Sequence, residues 1–176
     1  MDIMKRIGLP GSLFLSFQCD RYYYNEGDYL FKGDYNVLYL KPDGTVQLVE
    51  SLFDLTMIQP NDRTIAMNRL DFGSFTAFVF IPQYKDCHGL EFHLYGVADG
   101  QAFPFEFDWE GEKTSTFETD PVKDSPNPRV VQGRLVVDGG YAAGMDSRTR
   151  YTFEPEAATR TMKLIKEEPL PVSEKE

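Results

Sequence analysis

Histidine, cysteine and tryptophan are scarce in this 176-residue chain: two His, two Cys and one Trp. Two cysteines as far apart as Cys19 and Cys87 do not make a disulfide framework, and both read as small buried hydrophobes. Cys and His gather only at Cys87-His88 with His93. A zinc site needs three or four ligands, and Cys19 is the only soft ligand left to add, so no metal is expected. His88 reads as a loop residue. His93 reads as a surface residue, on the face of its strand opposite Phe92. A Ser/His/Asp site would have to recruit one of these two histidines, and no nucleophile-elbow pattern is present. Cys87 and His88 are adjacent in an extended run, where successive side chains point apart. Gly139-Gly140-Tyr141-Ala142-Ala143-Gly144 lacks the Gly-Lys-Ser/Thr ending of a phosphate loop. The Asp-Gly pairs at Asp43, Asp99 and Asp138 lack the alternating ligands of a calcium loop and read as turns. No catalytic residue and no cofactor is assigned.

Basic residues are also in deficit, 18 Lys and Arg against 28 Asp and Glu, for a formal charge of −10. That balance opposes binding to nucleic-acid phosphates and to anionic lipid surfaces. A basic protein partner is compatible with it, although solubility alone accounts for such a charge. No apolar run approaches the ~18 residues of a membrane-spanning helix. Lys5 and Arg6 precede an apolar stretch that invites comparison with a secretion signal. Gly8, Pro10, Gly11 and Ser12 interrupt it, and no small-x-small cleavage site follows before Cys19. The expected location is cytoplasmic, or inside a particle or complex.

Aromatic residues, by contrast, are abundant: 14 Phe and 10 Tyr. Flat rings suit the pleated surface of a sheet. In the stretch 89–110 Leu90, Phe92 and Leu94 alternate with Glu91, His93 and Tyr95. After Ala98-Asp99-Gly100-Gln101, Phe103, Phe105, Phe107 and Trp109 alternate with Pro104, Glu106 and Asp108. Period-two alternation puts the large apolar rings on one face of a ribbon, and Asp-Gly between two such runs is a strong hairpin signal. A two-stranded aromatic hairpin is therefore expected at the centre of the core.

Other segments follow the same pattern. Strands are expected over 12–24, over 29–40 with a bulge or break at Gly33, and over 45–50 after the turn Lys41-Pro42-Asp43-Gly44. Residues 51–60 fit either a helical turn or an extended segment. Strands are expected again over 63–70 and 74–82. In the latter Phe75, Ala77, Val79 and Ile81 face one way and Phe78 and Phe80 the other, which implies cover on both sides. A polar edge strand is expected over 113–118, an exposed loop over 120–128, and strands over 129–137, 148–154 and 159–166. Residues 167–176 read as a disordered acidic tail behind a single domain, 1–166. About ten short strands with turns every 8–12 residues and almost no helix describe an all-β antiparallel barrel or sandwich.

Function is less legible. Tyr22, Tyr23 and Tyr24, with Tyr29, place at least one ring on an outer face, as at a protein interface; rings lying over a strand end are the plainer explanation. The leading expectation is a non-enzymatic protein that binds a protein partner through these tyrosines, in an accessory, inhibitory or particle-assembly role. The alternative is a barrel holding a small apolar ligand among Phe78, Phe80, Tyr95 and Trp109. In such a cavity Glu91, Glu106 or Asp108 could do acid/base work.

Overall fold

The computed structural model describes residues 5–6, 26–86, 89–120, 128–140 and 148–170. Alternating side chains dictate its three sheets. The chain opens with a ribbon: β1 (Lys5–Arg6) pairs with the start of β2 (Tyr29–Leu40), and β2 pairs along its length with β3 (Val46–Gln59). The ribbon turns where expected, with Thr45 N donating to Asp43 Oδ1 at 2.9 Å. Residues 51–60, ambiguous between helix and strand in sequence, are extended in β3 as far as Gln59. The register shifts twice, between Gly33 and Tyr35 and between Val37 and Leu38. At the first shift Asp54 has φ 52°, and its amide donates to Asp34 Oδ1 at 3.0 Å. This is a bulge of the kind Gly33 had suggested, carried on the opposite strand.

The chain then builds a middle sheet from β4 (Asn68–Asp71), β5 (Thr76–Phe80), β6 (Leu90–Ala98) and β7 (Gln101–Pro104). β4 is shorter than the expected 63–70 strand and begins later. β6 and β7 form the expected hairpin, Ala98 opposite Gln101, with positive φ at Asp99 (49°) and Gly100 (69°). Both central residues of a two-residue I′ turn need that left-handed conformation.

Here the chain departs from expectation. The run 103–109 is not one strand. At Phe105 it leaves the middle sheet and continues as β8 (Glu106–Trp109) in a second, six-stranded sheet. The hand-over is made by backbone bonds on either side: Phe105 N to Leu94 O at 2.8 Å, then Glu106 N to Arg160 O at 3.0 Å. Phe103, Phe105 and Phe107 all remain buried on the core side, and Trp109 sits at the rim, 38% exposed. β9 (Glu112–Thr114) follows in the second sheet, and at Ser115 the chain crosses back as β10 (Thr116–Thr119), which pairs with β6. The expected edge strand 113–118 is thus two short strands in two sheets. β11 (Arg129–Val131), β12 (Arg134–Gly139), β13 (Arg148–Glu156) and β14 (Thr161–Leu170) complete the second sheet. Gln132-Gly133, both at positive φ, divide what the sequence suggested was one strand, 129–137.

The two larger sheets pack face to face through Phe92, Phe105, Phe107, Leu135, Phe153 and Met162, all essentially inaccessible. Phe107 meets Phe92 edge-on at 5.4 Å and Phe153 at 5.4 Å. Gly96 is required at this interface: a Cβ there would lie 2.6 Å from ring carbons of both Phe103 and Phe105. The architecture is a sandwich; among the described residues the sheets keep free edges and do not close into a barrel. The tail boundary also moves, because Glu167–Leu170 belong to β14 and pair with Arg148–Tyr151. Pro169 is tolerated because β14 has β8 beside it only over Thr161–Lys163 and is an edge beyond. Residues 171–176 lie outside the described residues.

Candidate functional site

The middle sheet is covered on both faces, as the two-sided pattern of 74–82 implied. Ala77 and Val79 face the core, while Phe80 is buried and Phe78 half-buried on the other side. The cover there is the β2–β3 ribbon. Gln47 exchanges two bonds with the backbone of Ala102, at 2.7 and 3.1 Å. Tyr95 donates its hydroxyl to Glu50 Oε2 at 2.8 Å. Ile58 bridges Pro82 and Tyr84 through its backbone at 3.2 Å each. At the ribbon's base Lys85 Nζ lies 2.7 Å from Asp28 Oδ2, and Tyr84 donates to Asp28 Oδ1 at 2.7 Å.

This cover corrects the reading of His93. It is buried, 7% exposed, stacked against Tyr95 and beside Phe80. Neither ring nitrogen has a hydrogen-bond partner among the described residues. Burial holds its pKa below the usual imidazole value, with Glu50 and Glu91 pulling weakly the other way. The ring is therefore neutral at neutral pH. Burial, then the bond to Glu50, pushes the Tyr95 phenol far above its ordinary range. Replacing Tyr95 with Phe is expected to cost about 1 kcal/mol in urea denaturation, the net worth of one such hydrogen bond. A change within error would mean that the ribbon is not latched there.

The expected site residues fall in several places. Tyr22, Tyr23 and Tyr24, with Cys19, Cys87 and His88, lie outside the described residues. Tyr29 begins β2, half-buried, its ring 6.5 Å from Phe31. Phe78, Phe80 and Tyr95 share the ribbon-covered face of the middle sheet, with Phe78 opposite Tyr95 in register. Trp109 is not with them; it packs on Phe117 and Tyr151 at the rim of the other interface. The carboxylates also separate. Glu91 is exposed on the ribbon side, Glu106 meets Lys113 at 3.2 Å, and Asp108 accepts the Gly111 amide at 2.9 Å in a turn. No group of three or more metal-ligating side chains assembles among the described residues.

The ribbon creates features that the sequence did not disclose. Two grooves flank its base. One, about 520 Å³, is bordered by Phe31, Tyr35, Leu52, Met57, Met67 and Phe80. The other, about 760 Å³, runs under residues 51–56 of β3 and is floored by Leu90, Glu91 and His93. On the ribbon's outward face near its tip, Leu38 stands opposite Leu48 and Leu40 opposite Val46. These four side chains are 57–68% exposed. Chain comparisons with known protein families, with curated proteins and with solved structures found no match.

Proposed function

We propose that this protein acts by binding a protein partner, and that the outward face of the β2–β3 ribbon is the surface that does so. The observation that supports it is the cross-strand aliphatic cluster of Leu38, Leu40, Val46 and Leu48, exposed together on one face. Single exposed leucines need no explanation, but a contiguous apolar patch on an otherwise charged surface marks an interaction site. The same strands turn their other, partly buried face to the middle sheet, so the sheet contacts do not call on the exposed cluster. The net charge of −10 favours a partner with basic residues around an apolar centre. This surface lies on the ribbon that begins at Tyr29; the tyrosines expected to bind, Tyr22–Tyr24, lie outside the described residues.

Leu38→Ser with Leu48→Ser is expected to leave unfolding free energy within about 0.5 kcal/mol of wild type. It should weaken binding to a purified partner, found by affinity capture and reconstituted, by at least about tenfold. Equal affinity for wild type and variant refutes the reading. So does light scattering that shows the tip joining two copies of the chain. A second reading, a small apolar ligand, is supported by the 520 Å³ groove, in which Phe80 is the one expected ligand-binding residue that takes part. Leu38 also borders that groove, so Leu48→Ser alone, which leaves the groove intact, tells the two readings apart.

A further inference from the structure

The larger groove beneath β3 has a chemistry of its own. Among the described residues its border carries four carboxylates and no lysine or arginine: Asp86 and Glu118, which have other interactions, and the exposed Asp54 and Glu91. Lys32 reaches Asp54 at 3.1 Å, between two exposed side chains, and so offsets little of the Asp54 charge. His93, neutral and nine-tenths buried, with neither nitrogen partnered among the described residues, forms part of the floor. Residues 51–56 of β3 line one side of it. β3 pairs with β2 on its other edge; on this side its described backbone bonds are those of Ile58 near its end. An unpaired strand edge accepts an added extended segment through main-chain hydrogen bonds. The bulge at Asp54 divides that edge, and the ring of Phe53 beside it is 77% exposed at the groove's rim.

We infer that this groove takes an extended, basic peptide segment of a protein partner, laid along β3 between Ser51 and Thr56. Its lysines or arginines would face Glu91 and the neighbouring acids, and its apolar residues Phe53 and Leu90. The unpaired edge supplies direction and register, the acids select sign, and the imidazole offers a hydrogen bond at the floor. The inference rests on reading the ribbon as a binding element, but it uses a different surface of it from the aliphatic tip.

The test uses two fluorescein-labelled octapeptides, alternating Lys-Val and alternating Glu-Val, with the full chain. Fluorescence anisotropy should show saturable binding of the Lys-Val peptide and none of the Glu-Val peptide. Amide shifts should concentrate at residues 51–56 and around His93. Glu91→Lys should weaken binding by at least about tenfold. Glu167→Lys, an identical change of net charge on exposed β14, should weaken it no more than about twofold, through general screening-sensitive attraction. Leu38→Ser with Leu48→Ser should leave it unchanged, so that failure of the tip and failure of the groove are told apart. Absence of saturable binding up to about 1 mM overturns the inference. Equal effects of Glu91→Lys and Glu167→Lys overturn it as well, since they would reduce the attraction to net charge.

Discussion

Replacing Phe105 with Ala is expected to lower unfolding free energy by about 3–5 kcal/mol, the usual cost of emptying a large aromatic from a core. The magnitude follows from where the residue sits. Its ring is wholly buried and lies 5.5 Å from Phe75 and 5.2 Å from Phe103, against the space left by Gly96. Its backbone is the point at which the chain passes from one sheet to the other. A neighbour that collapsed into the void would have to come from one sheet and leave the other, so relaxation is restricted. Phe105→Leu, which keeps most of the volume, should cost clearly less. Urea denaturation measures both, with unchanged m values if the native state keeps its compactness. A loss below about 1 kcal/mol for Phe105→Ala would show that the switch point is not the tightly packed joint described here.

The same residue marks how far the sequence could be read. The alternation of Phe103, Phe105 and Phe107 reports which side of the backbone is buried, and all three rings are buried. It carries no information about which strand lies alongside, because hydrogen-bond partners are distant in sequence. The hand-over at Phe105, and the return at Ser115, were therefore invisible. Asp99-Gly100 was legible because its turn chemistry is local; Gln132-Gly133 makes the same kind of turn with a less telling first residue. The double-sided pattern of Phe78 and Phe80 announced a second cover, and the ribbon supplies it. His93 was misread because a polar residue on the non-core face is ordinarily solvated, and the ribbon comes from more than thirty residues earlier. The exposed tip was overlooked for the opposite reason. Leu38, Leu40, Val46 and Leu48 look like any strand interior until their face proves to be uncovered.

Asp138 was also misassigned, as the first residue of a turn, and the consequence is measurable. It lies in β12, buried, with its carboxylate held from two sides. Arg150 donates at 2.6 and 3.0 Å and Arg129 at 3.0 and 3.4 Å. Next to it, Asp120 N donates to Asp138 O at 2.8 Å, and the Asp120 side chain accepts from Arg148 at 2.5 Å. Burial by itself would raise the Asp138 pKa, but the Arg150 and Arg129 bonds outweigh it and hold the carboxyl below its ordinary value. The folded state therefore binds this proton less readily than the unfolded chain. The stabilisation is complete at pH values well above the unfolded carboxylate value of ~3.9, and it fades as pH falls through that value towards the lower folded one. Asp138→Asn removes the charge that both guanidinium groups face, and breaking a buried pair on one side costs about 3 kcal/mol. That deficit should appear in full at pH 7 and shrink steadily in acid, as the wild-type carboxylate becomes protonated too. Other titrating acids are common to both proteins and cancel in the difference. A deficit that persists unchanged at low pH would mean that Asp138 acts through shape and neutral hydrogen bonds. The two arginines would then be held by something other than its charge.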